Sequence, residues 1–338
     1  MARLIARIAA TTALLALLAG CGSTTTVREP MLTVNGAQPI TATPSQPGGS
    51  VRIAVVTHGQ ASSPFWAIVR NGVEAAARQM DVVVTYRAPD VYSLQRMKTL
   101  IDQAVASRPD GLVVSLPERG LAPAVRRAVR AGIPVVSINS GSDFYKGLGV
   151  LAHVGQPEDR AGFQAGERLA RAGVRRALCV NQQIGNQGLD ARCRGLARAM
   201  RAVGGSSRVF GVDDQSPMAA RRIAVAIRTL RVDGVLTLNA TTGIEAVDAA
   251  RRLHREGAVK IATFDLGPDV LQAVKAGRLL FAVDQQAYLQ GYLPVVLLAE
   301  RARYGLFPAQ GDVIATGPNF VTAREAGKAI ELSRRSIR

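Results

Sequence analysis

The stretch Ile53-Ala54-Val55-Val56 is apolar at every position and belongs to the first of several short runs rich in β-branched residues. A strand with this pattern is typical of parallel α/β sheets, in which helices cover both faces and no strand face alternates with polar residues. Further runs at 82–86, 111–115 and 134–138 alternate with stretches whose apolar residues recur at helical spacing. This order of elements predicts a doubly wound parallel sheet.

The same order then recurs along the chain. Strands are predicted at 177–181, 207–212, 234–238 and 260–264, alternating with amphipathic stretches. Two such series predict the fold class, which is α/β with two doubly wound parallel-sheet lobes. A long helix at 288–304 and the strand after it are extra to the second series, and we expect them to return to the first lobe.

The N-terminus has the pattern of an export signal. Basic residues precede an apolar run at 8–18, which is too short to span a bilayer stably. Small residues lead from this run to Cys21, which predicts a lipoprotein signal peptide over 1–21 with Cys21 as the lipid attachment site. A plain secretory signal with a chance cysteine is the alternative. Residues 22–50 are rich in Thr, Pro, Gly and Ser and predict a flexible tether. We therefore expect an exported protein, in the periplasm or at the cell surface, that is anchored to a membrane by its lipid.

The chain is strongly basic, with a formal net charge of +17 and an isoelectric point near 11.0. Such a balance favours nucleic acid or an anionic membrane as a partner. The arginines are, however, spread over predicted helix faces, as at Arg126, Arg127 and Arg130, without interleaved aromatic residues or a basic tail. We interpret them as solvated surface charge and predict no nucleic-acid partner.

Two cysteines remain after Cys21, namely Cys179 on a predicted strand and Cys193 on the next helix. An oxidising compartment favours a disulfide between them. Two separately buried thiols fit the sequence equally well. The cysteine spacing fits no metal site.

Polar residues follow most of the predicted strands. Ligands of parallel α/β sheets bind beyond the carboxyl ends of the strands, where this chain has His58, Asp90, Asn139, Asn239 and Asp265. Amide and hydroxyl groups predominate in these segments, and they suit a ligand that both donates and accepts hydrogen bonds. A carboxylate such as that of Asp265 accepts two hydroxyl protons in charge-assisted bonds.

The segment Ser63-Pro64-Phe65-Trp66 begins the helix after the first strand and contains the only tryptophan of the chain. A sugar binds in water by packing the C–H face of its ring on an aromatic side chain while polar groups take its hydroxyls. The aromatic pair therefore indicates a sugar site, although both rings suit the core face of an amphipathic helix equally well. Arg192, near the start of a second-lobe helix, can donate to two oxygens. For Arg192 and Asp265, a structural ion pair or a helix cap is the alternative role.

No catalytic constellation is present in the sequence. The three histidines are His58, His153 and His254, and the chain lacks HExxH, GxSxG, P-loop and post-strand GxGxxG motifs. We predict a protein that is not an enzyme and that has no cofactor and no metal site.

From residue 51 to about residue 321, the chain resembles the periplasmic sugar-binding proteins of ABC importers, of the ribose-binding type. The effector domain of LacI-type repressors has the same fold. Short motifs in the right order at the strand ends carry the resemblance. The resemblance implies that the residues of these motifs bind the ligand. The matching residues are Phe65, Trp66, Arg192, Asn239, Asp265 and Gln285, and Ser63 stands where the family has an Asn before the Pro and the aromatic pair. The family's Asp-Arg pair after the fourth strand is Asn139-Ser140 here, so Asn139 is a predicted ligand contact. The loss of a charged pair favours a related sugar or a polyol over ribose itself.

The resemblance also implies that three chain segments form a hinge between the lobes. The N-terminal lobe would comprise 51–153 plus 286–316, and the C-terminal lobe 154–285 plus 317–330. The implied function is capture of a monosaccharide or polyol by hinge closure and its delivery to an ABC permease, by a protein that we expect to be a monomer. A sugar-sensing co-receptor for a chemoreceptor or sensor kinase is the alternative. A repressor is not favoured, because a signal and a tether stand where its helix-turn-helix would be.

Overall fold

The computed structural model describes residues 50–59, 63–308 and 311–334, together with residue 337. The predicted signal peptide with Cys21, and all of the predicted tether except its last residue, lie outside the described residues. Within the described ranges, no helix is both long enough and apolar enough to cross a membrane.

Two six-stranded sheets organise the described region. The strands of the first sheet are β1 (Arg52–Val56), β2 (Val83–Arg87), β3 (Gly111–Ser115), β4 (Val135–Ile138), β5 (Ala152–Gly155) and β11 (Val313–Ala315). The strands of the second sheet are β6 (Arg176–Asn181), β7 (Ser206–Gly211), β8 (Gly234–Thr237), β9 (Lys260–Phe264), β10 (Ala282–Asp284) and β12 (Asn319–Val321).

Both sheets have the strand order of a doubly wound fold. The first is β11-β5-β4-β3-β1-β2 and is parallel throughout. The second is β12-β10-β9-β8-β6-β7, in which only β12 is antiparallel to its neighbour. The predicted fold class of two doubly wound α/β lobes is confirmed.

Helices cover both faces of each sheet. They are α1 (Pro64–Gln79), α2 (Leu94–Ala106), α3 (Ala122–Arg130), α4 (Glu158–Arg171), α5 (Gln187–Ala202), α6 (Ala219–Thr229), α7 (Ala240–Arg252), α8 (Pro268–Lys275), α9 (Ala287–Tyr304) and α10 (Ala326–Arg334). In the first lobe, α2 and α3 pack on one face and α1 and α9 on the other. In the second lobe, α4 and α5 pack on one face and α6, α7, α8 and α10 on the other.

The chain passes between the lobes after β5, after β10 and between β11 and β12. The predicted lobe boundary between residues 153 and 154 falls inside β5, which pairs with both β4 and β11 of the first sheet. Helix α9 packs on α1 almost backbone to backbone. A Cβ added at Gly72 would lie 2.1 Å from the carbonyl oxygen of Tyr288, and one at Gly291 would lie 1.9 Å from that of Val69. This contact holds the late helix in the first lobe.

Cys179 on β6 and Cys193 on α5 form a disulfide with their Cα atoms 5.7 Å apart. Of the two arrangements that the sequence left open, the structure has the covalent one. The bond fastens the first half of α5 to the strand beneath it. Because Arg192 precedes Cys193, the disulfide also limits how far Arg192 can move relative to the second sheet.

Candidate functional site

A cavity of about 450 Å³ lies between the lobes, beyond the carboxyl ends of strands from both sheets. This is where the fold places ligands, and the volume suits a small molecule. Nine of the ten predicted site residues line it, namely His58, Ser63, Phe65, Trp66, Asn139, Arg192, Asn239, Asp265 and Gln285.

The tenth predicted residue, Asp90, does not line the cavity. Its side chain is 96% exposed, and its carboxylate lies 3.6 Å from the guanidinium of Arg96 on the outer surface of the first lobe. The physical reason is that β2 is the edge strand of the first sheet. The loop after β2 therefore runs along the side of the cleft, and the cavity wall is formed by the next residues, Val91 and Tyr92.

Aromatic rings form the first-lobe wall of the cavity. The ring centroids of His58 and Trp66 lie 4.8 Å apart in an edge-to-face arrangement, and those of Phe65 and Trp66 lie 5.2 Å apart. Trp66 is only 6% exposed and packs in the core beneath α1, so the core role considered from sequence is present, and the ring also lines the cavity. Burial lowers the pKa of His58 to about 3, which leaves the imidazole neutral. Its Nδ1 lies 2.8 Å from the hydroxyl of Ser115, which orients the ring.

Arg192 forms a buried, bidentate ion pair with Glu158. Its Nε and Nη2 donate to the two carboxylate oxygens at 2.6 and 2.9 Å, and the side chains are 3% and 1% exposed. Nη2 also donates to Gln285 Oε1 at 3.2 Å, and Nη1 to the carbonyl oxygen of Leu238 at 3.3 Å. Of the five N–H groups of a guanidinium, one on Nη1 remains. Burial, the largest single influence, lowers the pKa of Arg192, but the attraction and hydrogen bonding to Glu158 and the attraction to Asp265 together outweigh it, and the net shift is upward. The structural ion pair considered from sequence is therefore present, and one donor is left for a ligand.

Two glycines bring this pair together. A Cβ added at Gly162 on α4 would lie 2.0 Å from the carbonyl oxygen of Arg192, and one at Gly195 on α5 would lie 2.1 Å from that of Asp159. The backbones of the two helices touch at these positions, which only glycine permits. As a consequence, the first turn of α4 places Glu158 beside Arg192.

Asp265 supplies a carboxylate to the second-lobe wall. Its Oδ1 accepts a hydrogen bond of 2.5 Å from Gln285 Nε2, while Oδ2 has no donor among the described residues. Asp265 and Asn139 each follow a strand with positive φ, 68° and 62°, a conformation that Asp and Asn tolerate better than most residues. Burial raises the pKa of Asp265 to about 6, although Arg192 and the hydrogen bond from Gln285 act in the opposite direction.

Gln285 joins the two lobes at the second chain crossing. Its Oε1 accepts from Nδ2 of Asn139 in the first lobe at 3.3 Å and from Arg192 in the second. Gln290 at the start of α9 donates to its carbonyl oxygen at 3.0 Å. The side-chain oxygen of Gln285 is therefore occupied and one of the two N–H groups on Nε2 is bonded to Asp265, so one N–H remains. Through these bonds Gln285 connects the cavity floor to the hinge.

Asn239 lines the cavity but is largely engaged within the second lobe. Its Oδ1 accepts from the Thr242 amide at 2.9 Å as the cap of α7, and its Nδ2 donates to Asp214 at 2.6 Å. This cap starts α7 at Ala240. Nearby, burial and then the charges of Asp214, Asp213 and Asp248 raise the pKa of Glu245 to about 7.

The cavity has further polar residues that the sequence prediction did not include. They follow β6 and β7 and are Gln182, Gln183, Asn186, Asp213, Asp214 and Gln215. The signal that identified the others, a polar residue just after a strand, also applies to Gln182, Gln183, Asp213 and Asp214. It does not reach Asn186 and Gln215, which lie further along the chain. Glu158 carries no such signal. No group of three or more His, Cys, Asp or Glu side chains within the described ranges is arranged to hold a metal ion.

Comparison with known proteins finds a matching family model and similar sugar-binding proteins. A family model described as a periplasmic binding protein domain matches residues 53–305. A D-ribose/D-allose-binding protein of Pseudomonas aeruginosa is 26% identical, and the match covers 75% of this chain and 82% of that protein. A xylose/arabinose-binding protein of Sulfolobus acidocaldarius is 24% identical, with 82% and 75% covered. A solved carbohydrate transporter of Acidothermus cellulolyticus in complex with myo-inositol is 33% identical with a TM-score of 0.80, and 86% of this chain and 100% of that chain are covered.

Proposed function

We propose that this chain, which belongs to the periplasmic binding protein family of sugar-binding ABC transporter components, captures a monosaccharide or polyol and delivers it to an ABC permease. The members to which it is similar are transport proteins and not enzymes. The observation that carries the proposal is a cavity between the lobes with aromatic rings on one wall and amide and carboxylate groups on the other. That pairing of surfaces matches a molecule with an apolar ring face and a rim of hydroxyls.

In this proposal each lobe contacts a different part of the ligand. Phe65 and Trp66 hold the ring face, and Ser63 and His58 complete the first-lobe wall. Hydroxyl groups bind to Asp265 Oδ2, to the amides of Asn139, Asn239 and Gln285, and to the remaining N–H of Arg192. Because these groups come from both lobes, the ligand contacts all of them only in the closed arrangement, and its binding energy favours closure.

The family is exported to the periplasm. We further propose that Cys21 carries a lipid, that 22–50 is the tether and that the protein works as a monomer. The ligand class follows from the neutral Asn139-Ser140 segment and from the relatives. The structure from Acidothermus cellulolyticus contains myo-inositol, and the curated relatives are named for pentoses and allose. Cyclic polyols and pentoses are therefore the first compounds to test.

A thermal-shift screen tests the proposal. At a hundredfold excess over its Kd, a ligand that binds only the folded protein stabilises it by about 2.7 kcal/mol, which corresponds to a Tm increase of roughly 5 °C. We expect such an increase with at least one of myo-inositol, D-ribose, D-allose, D-xylose and L-arabinose, and none with L-leucine as a control without ring hydroxyls. A response to leucine and to none of the sugars or polyols would contradict the proposed ligand class.

Ligand affinity should fall in acid. The pKa of Asp265 is raised to about 6, so this group is ionised and accepts hydroxyl protons above pH 6, and it loses that capacity as the pH falls through 6. We expect the affinity to be about tenfold lower at pH 5 than at pH 7.5, since one pH unit below a pKa about a tenth of the group is ionised. His58, with its pKa of about 3, does not change charge in this window. Isothermal calorimetry across the range measures the effect.

Two variants separate the groups that could cause this dependence. The charges acting on Asp265 are those of Arg192, Glu158 and Asp284, and the other carboxyl group with a raised pKa near the cavity is Glu245. Asp265→Asn should remove the pH dependence, and Glu245→Gln should keep it. A dependence that survives Asp265→Asn would show that another group is responsible.

A further inference from the structure

The two lobes also touch each other directly, at the edge of the cavity, at the start of α5. The backbone N–H of Gln187 in the second lobe donates to the carbonyl oxygen of Pro117 in the first lobe at 2.7 Å. Beside it, Oγ of Ser140 in the first lobe donates to Oδ1 of Asn186 in the second at 3.0 Å. Ser140 and Asn186 are each 2% exposed. These are hydrogen bonds that exist only while the lobes are closed.

The helix terminus explains why these contacts are favourable. The first four N–H groups of an α-helix have no acceptor within the helix. Asn186 caps two of them in α5, accepting from Gly188 at 3.0 Å and Leu189 at 3.5 Å. The N–H of Asn186 itself donates to the carbonyl oxygen of Gln183 at 3.0 Å. Only the N–H of Gln187 is left, and closure supplies its acceptor from Pro117. The open arrangement leaves this group to water.

The fit of the two surfaces depends on Gly188. A Cβ added there would lie 2.9 Å from Oγ of Ser140, and the next nearest atoms would be at 3.5 Å. Neither Ser140 nor Gly188 is among the residues that line the cavity. The close approach of the lobes therefore requires no side chain at 188 and a small one at 140.

We propose that Ser140, Asn186, Gly188 and the Pro117–Gln187 hydrogen bond form a closing latch, in which Ser140 and Gly188 are positioning residues that do not touch the ligand. The latch maintains a measurable closed population without ligand. The effect on binding rests on the proposed function. The latch raises the affinity for every ligand by the same factor, because apparent affinity scales with the population of the binding-competent form.

Calorimetry on single and double variants tests the effect on binding, with myo-inositol and D-ribose as probes. Ser140→Ala removes the hydroxyl that bonds to Asn186 across the lobes and also lies 3.2 Å from Asn139 Oδ1. It should weaken both affinities about two- to tenfold without changing their ratio. Gly188→Ala should also weaken both, although alanine favours the helix. In the Ser140→Ala background the clash is absent, so Gly188→Ala should have no further effect. Unchanged affinities, a changed ratio between the probes, or additive effects in the double variant would overturn the latch.

A ligand-free measurement keeps the latch separate from the proposed function. Spin labels at Thr99→Cys on α2 and Thr229→Cys on α6, both exposed, report the distance between lobes in the full chain carrying Cys21→Ala. We expect a closed population that Ser140→Ala and Gly188→Ala both reduce. As the matched control, Ser137→Ala removes a buried hydroxyl that bonds to His153 within one lobe, and it should leave the distances unchanged. Absence of a closed population, or equal populations in all variants, would overturn the latch even if the probes bind, and failure of the probes to bind would not affect this result.

Discussion

Replacing Glu158 by alanine should lower the free energy of unfolding by about 3–5 kcal/mol, because it leaves a buried guanidinium without its counter-ion. Glu158 accepts two hydrogen bonds from Arg192 and a third, of 2.9 Å, from Gln156. With 3% and 1% of the two side chains exposed, water cannot replace the lost partner. Urea denaturation, followed by circular dichroism, measures the change.

An exposed ion pair provides the matched control. Asp102 accepts three hydrogen bonds from Arg127, but these side chains are 48% and 46% exposed. Asp102→Ala should therefore cost less than about 1 kcal/mol. The double variant Glu158→Leu/Arg192→Met should be more stable than Glu158→Ala, since it removes both charges at once. If Glu158→Ala cost no more than Asp102→Ala, the buried pair would not have the structural role assigned to it.

The sheets were predictable because most of their strands have a sequence pattern that is visible locally. A buried parallel strand such as β1 is apolar throughout, and this pattern is visible in a few residues. Strand β5 was missed because Ala152-His153-Val154-Gly155 contains a buried histidine and a glycine, so its burial on both faces does not appear as an apolar run. The eight-residue helix α8 and the terminal helix α10 were missed because they are short, and α8 begins within a Gly-Pro segment that also indicates a turn.

The site was predictable to the extent that strand ends define it. Strand order is not visible in the sequence, which is why Asp90, after an edge strand, was placed with residues that lie over the cleft. The partner of Arg192 could not be predicted either. Glu158 is 34 residues away on another helix, and the two meet because Gly162 and Gly195 let α4 and α5 touch. Tertiary packing decides such contacts, and it leaves no local pattern.

Replacing Asp265 by alanine should weaken the affinity for the cognate sugar or polyol by about 2–4 kcal/mol, or roughly 30- to 1,000-fold. The carboxylate is 8% exposed and has one oxygen without a donor among the described residues, so a ligand hydroxyl at that oxygen forms a charge-assisted bond away from bulk water. Removing the acceptor leaves the ligand donors unpaired in the closed cavity, and it also leaves Gln285 without its 2.5 Å partner. Calorimetry at pH 7.5, with the ligand identified in the thermal-shift screen, measures the loss.

Two further variants decide whether the loss comes from the carboxylate itself. Asp265→Asn keeps the size of the side chain and an acceptor for Gln285, so it should fall between the wild type and Asp265→Ala, with the charge-assisted part of the binding energy missing. Asp90→Ala removes a carboxylate that also follows a strand but lies 96% exposed on the outer surface, and it should bind like the wild type. If Asp265→Ala bound within twofold of the wild type, or if Asp90→Ala weakened binding as strongly, the carboxylate of Asp265 would not be the acceptor on which the site depends.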